Sequence, residues 1–242
     1  MAIKKKKKIY EGKTKILYET ENPEQLVMEF KDENLSLNGS KKTRLIKRGT
    51  INSQVSALLF RYLESFNVPT HFMSAVGDVG ILVRRLQILP IEVRVRNIAT
   101  GSFAKRYSLK EGEVLEKPIV EYYLKSHAKD EQMVNQHHIS AFGMATADEL
   151  RLIDRYVTKA NAVLKSFFIR RGMKLVDFKL EFGRYKSHLV IGDELSPENC
   201  RLWDAETGEK FDLERFRQDP NALERIYEEV RRRVFEKEGE KV

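Results

Sequence analysis

The sequence predicts an α+β fold in which strands and helices are interleaved irregularly. Three observations carry this prediction: alternating apolar residues open the chain, three later segments have apolar residues at helical spacing, and two apolar strands lie between the last two of these helices. A regular doubly wound parallel sheet would require strict alternation of strands and helices, which is not present. With 242 residues, of which 41% are hydrophobic and 33% charged, the chain can bury one large core beneath a solvated surface.

The first 89 residues are predicted to form a lobe that consists mainly of strands. A hairpin over residues 8–20 is expected to turn at Gly12. An amphipathic helix over residues 51–66 interrupts the strands and is expected to end before Pro69. Further strands are expected at residues 25–31, 71–76 and 81–86.

Pro90 is the expected hinge, and residues 90–242 are predicted to form a larger mixed α/β lobe. Thr146 and Glu149 have the spacing of a capping box, and the apolar stripe after them predicts a long helix that ends at Gly172. The remaining elements are expected as strands at residues 91–97, 117–125, 174–182 and 188–192, as a short helix at residues 103–109, and as a last helix that Asp219 caps before Pro220.

Composition limits the possible partners and the compartment. The formal net charge of +8 favours polyanions, either nucleic acid or small phosphorylated substrates, and the lysine run at residues 4–8 is expected to be a solvated end. Cys200 is the only cysteine, which fits a reducing compartment, and we expect a small tolerated side chain in a loop there rather than a nucleophile. No apolar run is long enough to span a bilayer and no secretory signal is predicted, so we expect a cytoplasmic protein.

The strand predicted around residues 175–183 has two faces of different composition. Asp177, Lys179 and Glu181 would share one face, while the alternate residues are apolar and would enter a core. An acid, a base and a second acid on one face can bind a metal ion and phosphates side by side. Alternation alone favours the simpler interpretation, which is a solvent-facing ladder of ion pairs.

The strand at residues 188–192 should pair with this strand as a hairpin. That pairing would bring Asp193 close to Glu181, and Gly192 removes side-chain bulk just before the aspartate. Two carboxylates at neighbouring strand ends are a suitable magnesium site, since Mg²⁺ takes hard oxygen ligands and shares them with nucleotide phosphates. The sequence therefore predicts Glu181 and Asp193 as metal ligands.

The strand at residues 91–97 also separates polar from apolar side chains, with Glu92, Arg94 and Arg96 on one face. Thr100-Gly101-Ser102 then leads into the predicted short helix. A helix N-terminus offers free amides, Ser102 adds a hydroxyl, and Arg96 adds a charge, so a phosphate site is one interpretation. An ordinary helix cap beside a surface arginine explains the same residues equally well.

A glycine turn, Tyr10-Glu11-Gly12-Lys13-Thr14-Lys15, lies between the first two predicted strands. It is not a P-loop, because lysine occupies position 7 where that motif requires glycine, and because a strand follows it instead of a helix. A glycine turn with two lysines can instead cover nucleotide phosphates, with Leu17 and Leu26 as an apolar cover for adenine. The alternative is a plain basic hairpin.

Taken together, these segments resemble SAICAR synthetase (phosphoribosylaminoimidazole-succinocarboxamide synthase), an enzyme family of purine biosynthesis, over nearly the whole chain. The motifs occur in a common order and spacing, which makes coincidence improbable. They are Tyr10-Glu11-Gly12-Lys13-Thr14-Lys15, Pro90-Ile91-Glu92 through Arg96-Asn97, Thr100-Gly101-Ser102, Asp177-Phe178-Lys179-Leu180-Glu181-Phe182-Gly183, and Gly192-Asp193-Glu194 through Arg201-Leu202-Trp203-Asp204.

The resemblance implies a two-lobed fold of the SAICAR synthetase type, with ATP in the cleft between the lobes at residues 1–89 and 90–242. It implies a ligase that condenses CAIR (carboxyaminoimidazole ribotide) with L-aspartate, using ATP, to give SAICAR, ADP and phosphate. ATP would phosphorylate the carboxylate of CAIR, and the amine of aspartate would displace phosphate. A homodimer without nucleic-acid or membrane partners is also implied.

The same resemblance implies the site residues. Glu181 and Asp193 would bind Mg²⁺, and catalysis by Asp177, Lys179 and Lys125 would come from positioning and charge neutralisation. The implied ATP contacts are Gly12, Lys13, Thr14, Lys15, Leu17, Leu26, Ile88, Lys125, Glu181 and Asp193. The implied CAIR contacts are Glu92, Arg96, Ser102, Asp177, Lys179 and Arg201.

Two segments depart from the sequence pattern of the family. Residues 32–37 read Asp-Glu-Asn-Leu-Ser-Leu before an expected turn at Asn38-Gly39, and Glu131-Gln132 precede Met133-Val134-Asn135.

Two other functions are open. A kinase-like phosphotransferase would share the glycine turn and paired carboxylates, but the sequence has no His-Arg-Asp or Asp-Phe-Gly motif. A nucleic-acid-binding module would explain the lysine run, but zinc-ligand spacing and aromatic ribonucleoprotein motifs are missing.

Overall fold

The computed structural model describes residues 3–32, 47–125, 132–211 and 220–236, with the backbone alone at residues 220–223. The described strands form a five-stranded and a seven-stranded sheet, and helices cover them. The predicted α+β class is confirmed. The expected turn at Asn38-Gly39, the cap at Asp219 and the residue pair before Met133 fall at or beyond the limits of the described ranges.

The smaller sheet consists of the first strands of the chain. They are β1 (Lys8–Glu11), β2 (Lys15–Glu19), β3 (Gln25–Phe30), β4 (Phe72–Val76) and β5 (Gly80–Arg84). Their order across the sheet is β1-β2-β3-β5-β4, and all neighbouring pairs are antiparallel. The predicted hairpin is confirmed, because Glu11 pairs with Ile16 on the two sides of the glycine turn. This hairpin forms one edge of the sheet.

Helix α1 (Arg48–Ser65) contacts β3, β4 and β5. The helix follows Lys47, which has a left-handed φ of 68°, and the Gly49 amide donates to the Asp32 carboxylate at 2.8 Å. A Cβ at position 49 would lie 2.6 Å from the carbonyl oxygen of Phe30, so only glycine permits this approach to β3. The start of α1 is thus fixed by a close backbone contact.

The larger sheet is built around two long strands. Its members are β6 (Gln87–Ile98), β7 (Val114–Leu124), β8 (Met133–Val134), β9 (Met173–Tyr185), β10 (His188–Gly192), β11 (Cys200–Asp204) and β12 (Lys210–Phe211). The order is β12-β11-β9-β6-β7-β8, and β10 pairs with the end of β9. Strand β9 therefore contacts β6, β10 and β11, and it carries the acid–base–acid face that the sequence singled out.

Pro90 lies inside β6 and not between two elements, which differs from its expected place at a break in structure. The register between β6 and β9 shifts between Ile88 and Glu92, so the proline occupies an irregularity where no ladder hydrogen bond from its nitrogen is needed. The strand starts before this point, at Gln87, and pairs there with Arg184. The division of the chain at residues 89 and 90 stays a prediction.

The helices of the second part follow mainly local signals. Helix α2 (Gly101–Arg106) starts earlier than expected and ends before Ser108, whose left-handed φ of 53° is incompatible with a continued helix. Helix α3 (Gln136–Ala141) was not predicted; its start is capped by the Asn135 side chain, which accepts from the His138 amide at 3.0 Å. Both helices are short and flank the larger sheet.

Helix α4 (Ala147–Ile169) confirms the predicted capping box. The Glu149 amide donates to the Thr146 hydroxyl at 3.2 Å, and the Thr146 amide donates to the Glu149 carboxylate at 2.7 Å. The chain turns after the helix at Gly172, which has a left-handed φ of 66°. The last helix is α5 (Pro220–Phe235), which packs on α1.

One hydrophobic core runs through both sheets. A single cluster of buried side chains includes Leu26 of β3, Phe60 of α1, Val93 of β6, Phe178 of β9 and Val230 of α5. Burial of apolar surface is the main stabilising contribution, so the two sheets stabilise each other. None of the described helices combines the length and the apolar character needed to cross a membrane.

Candidate active site

The predicted carboxylate pair lies at the end of the β9–β10 hairpin. Gly192 pairs with Glu181, and Asp193 follows directly with a left-handed φ of 62°. A Cβ at Gly192 would lie 3.0 Å from the Leu86 side chain and 3.5 Å from that of Ile88, so a larger residue would have to displace these side chains. The hairpin register thus brings Glu181 and Asp193 to the same end of the ladder, as the sequence predicted.

Two lysines from different parts of the chain meet these carboxylates. The ammonium of Lys15, on β2 of the smaller sheet, contacts Asp193 and lies 3.0 Å from Oε1 of Glu194. The ammonium of Lys125, just after β7, lies 2.5 Å from Oε2 of Glu181. The structure therefore brings together four predicted ATP-site residues, together with Glu194, which the sequence analysis had given no role.

The two carboxylates differ in protonation behaviour. Burial and the charge of Asp193 raise the pKa of Glu181 to about 7, in spite of the opposing effect of Lys125. Burial would also raise the pKa of Asp193, but the adjacent Lys15 outweighs it and keeps that pKa below its ordinary value. Asp193 is consequently ionised at neutral pH. Glu181 is partly protonated there, and a further cation nearby would favour its ionised form.

These residues fit a magnesium ion that shares its coordination with a nucleotide. The described residues contain no cluster of three or more metal-ligating side chains, so a complete protein cage is not formed there. Mg²⁺ commonly binds through one or two carboxylates and completes its shell with water and substrate phosphates. Burial and the charge of Asp193 disfavour the ionised form of Glu181, as its raised pKa indicates, and a divalent cation between the two carboxylates would offset both effects.

The glycine turn lies beside the carboxylate pair. The hydroxyl of Thr14 donates to Oε1 of Glu194 at 2.9 Å, so this side chain is directed at the protein. The turn is braced by Lys31, whose ammonium lies 2.8 Å from Glu11 and 3.3 Å from the Gly12 carbonyl oxygen. Lys13 is exposed at the tip. The Gly12 amide donates to the Lys15 carbonyl oxygen at 2.9 Å, so Lys13 is the part of the turn that can most readily face a ligand.

The predicted apolar cover is divided between the two sheets. Leu26 is buried in β3, and Leu17 of β2 is partly buried against the same core cluster. Ile88 of β6 is 40% exposed and lies beside Gly192. Ile88 is therefore the member of this set with free apolar surface next to the carboxylate pair.

The charged residues that lie directly opposite each other on β6 and β9 are not all of opposite sign, as a simple ladder of ion pairs would require. Like charges oppose each other at two successive positions, and such cross-strand pairs are unfavourable unless a ligand or a further residue compensates them. The like-charged pairs are Glu92 with Glu181 and Arg94 with Lys179, whereas the next pair, Arg96 with Asp177, is of opposite charge. This arrangement disfavours the simpler interpretation left open above and favours a ligand-binding face.

Partners from neighbouring residues partly compensate the opposed charges. Glu92 contacts the Arg94 guanidinium, and its Oε1 also lies 3.6 Å from the Lys179 ammonium. The Arg94 guanidinium stacks on the Tyr123 ring at 4.1 Å from the ring centre. Lys179 stays 42% exposed, so its charge is available to a ligand in the cleft.

Two arginines converge on Asp177 at the other end of the face. Oδ2 of Asp177 accepts from Arg96 at 2.8 Å and from Arg201 at 3.0 Å. Arg96 also donates to Glu121 at 2.9 Å and is almost completely buried, whereas the Arg201 side chain is 28% exposed. Burial would lower the pKa of Arg96, but Asp177 and Glu121 outweigh it and raise that pKa. Arg96 is consequently a permanent, fixed cation.

The start of α2 only partly matches the expected phosphate site. The Gly101 amide donates to the carboxylate of Glu111 at 2.9 Å, and the Thr100 hydroxyl donates to the same group at 2.6 Å. One of the amides counted as free is therefore already bonded. Ser102 is exposed, and Arg201 lies close enough that a Cβ at Gly101 would be 4.0 Å from its Nη1.

The sequence analysis missed several residues that contact the candidate site, because the residues they bond to or pack against are distant in sequence. Glu121 and Tyr123 of β7 meet β6 only through the sheet register, and Glu111 lies in a loop ten residues beyond Gly101. Buried His71 lies beside the Asp193 turn, where its Nδ1 would be 3.8 Å from a Cβ at Gly192. Alternation on β7 could have suggested Glu121 and Tyr123, but no local signal identifies Glu111 or His71.

The expectation that Cys200 lies in a loop is wrong, whereas its inert character agrees with the structure. Cys200 begins β11, pairs with Phe178 of β9 and is buried. Burial raises the pKa of its thiol far above the usual range, with smaller contributions from Asp177 and Glu194. Such a thiol does not ionise at neutral pH and cannot act as a nucleophile there.

Comparison with known proteins agrees with this geometry. The family model described as SAICAR synthetase matches residues 8–234. A phosphoribosylaminoimidazole-succinocarboxamide synthase from Chloroherpeton thalassium is 45% identical over 233 residues, which cover 96% of this chain and 99% of the relative.

Solved structures show the same relationship. A crystal structure of phosphoribosylaminoimidazole-succinocarboxamide synthase from Ehrlichia chaffeensis superposes with a TM-score of 0.89 at 38% identity, covering 94% of this chain and 98% of that one. A SAICAR synthetase (Type-2) in complex with ADP gives a TM-score of 0.88 at 39% identity, covering 96% and 99%. The chain belongs to the SAICAR synthetase family.

Proposed function

We propose that this chain is an ATP-dependent ligase that condenses CAIR with L-aspartate to give SAICAR, ADP and phosphate, and that the reaction takes place on the polar face of β6 and β9. The observation that carries the proposal is the register that sets Asp177, Lys179 and Glu181 of β9 opposite the charged residues of β6, namely Arg96, Arg94 and Glu92. Arginines lie at the Asp177 end, and paired carboxylates with lysines lie at the Glu181 end. The face thus offers two separate sites for anions, joined by Lys179.

ATP is assigned to the Glu181 end. Lys15 and Lys125 neutralise phosphate oxygens, and the backbone of Gly12 with exposed Lys13 covers them from the smaller sheet, where Thr14 holds the turn in place. Adenine lies against Leu17, Leu26 and Ile88. Two of the lysines are already located at the carboxylates, so a bound nucleotide finds its cations in place.

Mg²⁺ is assigned to Glu181 and Asp193. When bound, it neutralises charge on the transferring phosphoryl group and on the ADP that leaves. Lys125, which contacts Glu181, can turn to the phosphates because its ammonium group is on a flexible four-carbon chain, while Lys15 keeps its contact with Glu194. The fit rests on the carboxylate pair and on the raised pKa of Glu181.

CAIR is assigned to the Asp177 end. Its phosphate is bound by Ser102 and Arg201, with buried Arg96 behind them as a fixed positive charge. The imidazole and carboxylate lie over Glu92, Asp177 and Lys179. Lys179 directs the carboxylate toward the γ-phosphate, and its charge stabilises the developing negative charge.

The chemistry follows from this order of sites. A carboxylate oxygen of CAIR attacks the γ-phosphorus of ATP, ADP leaves, and an acyl phosphate is formed. The amine of L-aspartate then attacks the carbonyl carbon, the C–O bond to phosphate breaks, and the amide nitrogen loses a proton to solvent. The residues named above act by position and charge, and none becomes covalently modified.

We also propose that the protein is a cytoplasmic homodimer, as its family resemblance implies. The kinase-like and nucleic-acid-binding alternatives are not favoured by any of the comparisons. The assay that tests the function measures ADP release with ATP, Mg²⁺, CAIR and L-aspartate, each omitted in turn. Multiple-turnover release of ADP is expected only when all four are present, because the acyl phosphate must react with L-aspartate before the site can turn over again. Multiple-turnover release that does not depend on L-aspartate would overturn the proposed ligase activity.

A further inference from the structure

Glu194 directly follows the candidate metal ligand Asp193 and is almost fully buried, with 4% exposure. Its Oε1 accepts from the Thr14 hydroxyl at 2.9 Å and from the Lys15 ammonium at 3.0 Å. Its Oε2 accepts from the Ser196 hydroxyl at 2.6 Å. This carboxylate therefore joins the glycine turn of the smaller sheet to the segment that follows β10 in the larger sheet.

We propose that Glu194 is a positioning residue for the nucleotide, which acts by holding Lys15 and the glycine turn against the carboxylate pair. This inference rests on the proposed function, because it assigns ATP to that end of the cleft. Glu194 itself would not touch the nucleotide. It would set the place of the residues that do.

The charges around Lys15 explain why a second carboxylate is needed. Lys15 faces both Asp193 and Glu194, and only 12% of its side chain is exposed. Once the oxygens of Asp193 are shared with a divalent cation, Glu194 is the remaining anionic partner of Lys15 in this contact. A nearly buried ammonium that lost both partners would be strongly destabilised, because water cannot replace them there. Glu194 thus keeps Lys15 in place while Asp193 serves the cation.

The segment that carries Glu194 is itself firmly held. The Asn199 side-chain amide donates to the Glu194 carbonyl oxygen, and the Ser196 amide donates to Asn199 Oδ1 at 2.9 Å. The Ser56 hydroxyl on α1 donates to the Leu195 carbonyl oxygen at 3.1 Å. Since this segment is fixed by α1 and by its own hydrogen bonds, Glu194 is a rigid reference point for the more exposed glycine turn.

The test uses Glu194→Gln, which keeps the size of the side chain and one acceptor but removes the charge. ADP affinity is measured by titration calorimetry with Mg²⁺ present, and KM is measured for ATP and for CAIR. We expect ADP affinity to fall and the KM for ATP to rise by about tenfold or more, which is the usual effect of losing a hydrogen bond to a charged group. The KM for CAIR should change less than about twofold, since its site lies at the other end of β9.

Ser196→Ala is the matched control, because it removes a hydrogen bond from the same carboxylate on the side away from Lys15. Its ADP affinity should fall clearly less than that of Glu194→Gln, because the charge of Glu194 and its contacts with Lys15 and Thr14 are kept. Thr14→Val is the second test and applies even if Glu194→Gln does not fold, since it removes only the hydroxyl that donates to Glu194. We expect it to weaken ADP binding by about threefold to tenfold.

A double-substitution cycle separates positioning from a general loss of structure. If Glu194 acts through Lys15, the effects of Glu194→Gln and Lys15→Met on ADP affinity will be strongly non-additive. Unchanged ADP affinity in both Glu194→Gln and Thr14→Val would overturn the proposal, as would a parallel loss of ADP and CAIR binding. Because ADP binding needs no turnover, a failure of the ligase assay in the unsubstituted protein would be seen separately.

Discussion

Replacing Glu181 by glutamine should raise stability and abolish most of the activity. The pKa of Glu181 is raised from 4.5 to about 7 by burial and by Asp193, so the folded protein binds this proton more tightly than the unfolded chain. The stability from this group is complete below pH 4.5 and is lost as pH rises to about 7. At pH 8 the ionised carboxylate therefore costs at most about 3 kcal/mol, from 1.36 kcal/mol per pKa unit.

Glutamine removes this cost but leaves Lys125 without its partner. Since the Lys125 side chain is 34% exposed, water solvates the ammonium and the loss is small. We expect a net gain of about 2 kcal/mol at pH 8 without metal, which corresponds to a rise in Tm of roughly 4–8 °C for a chain of this length. Turnover should fall by about a hundredfold or more, because one of the two carboxylates assigned to Mg²⁺ is lost.

The assay combines thermal unfolding in EDTA at pH 8 with ADP release at saturating substrates. Glu149→Gln is the control, because the hydrogen bond from Arg184 lowers the pKa of Glu149 to about 2, so its charge stabilises the fold. This variant should unfold at a lower temperature but turn over normally when folded. A lower Tm for Glu181→Gln, or near-normal turnover, would show that the carboxylate does not have the role assigned here.

The remaining predictions concern the other end of the cleft, the buried histidine and the basic end of the chain. Arg201→Ala should raise the KM for CAIR by about tenfold or more with little effect on the KM for ATP; equal changes in both constants would contradict the phosphate assignment. His71 has its pKa lowered from 6.5 to about 4 by burial, so its stability contribution is complete above pH 6.5 and is lost as pH falls toward 4. Between pH 7.5 and pH 5, the free energy of unfolding of the unsubstituted protein should therefore fall by about 2 kcal/mol relative to that of His71→Asn in urea titrations, since the opposite pH dependence of Glu181 is common to both proteins. The same pH dependence in both proteins would disprove this origin. The Lys6 amide donates to the Glu19 carbonyl oxygen at 2.7 Å and Lys8 begins β1, so the charges of residues 4–8 are tested by replacing these lysines with glutamine and not by deletion. Turnover should stay within about twofold, whereas loss of turnover in a folded protein would mean that the lysines take part in substrate binding.

Much of the fold could be predicted because its signals are local. The hairpin at Gly12, the capping box at Thr146 and the β9–β10 hairpin depend on residues a few positions apart, and the structure confirms all three. Register within a hairpin follows from turn length, so the approach of Asp193 to Glu181 was also predictable. Pro90 was misread, because a proline marks either a break or an irregular strand, and only the long-range pairing of β6 with β9 distinguishes them.

The site could be predicted only where its residues share one strand. Asp177, Lys179 and Glu181 follow from alternation, but nothing local tells which residue of β6 opposes each of them. The hydrogen bond from the Gly101 amide to Glu111 was missed for the same reason. The loop that brings Glu111 back to the start of α2 has no distinctive sequence pattern. Long-range register, which depends on packing of the whole sheet, is what sequence reasoning lacked.

The opposed like charges on β6 and β9 link the stability of this protein to its chemistry. A strand face with Glu92 opposite Glu181 and Arg94 opposite Lys179 is not optimal for folding, and internal partners such as Lys125 offset only part of the repulsion. Ligands of complementary charge would complete the compensation: a cation and phosphates at one end, and a phosphorylated anion at the other. Binding of such ligands would offset the repulsion between the like charges, so the same residues that limit stability should provide affinity and orientation.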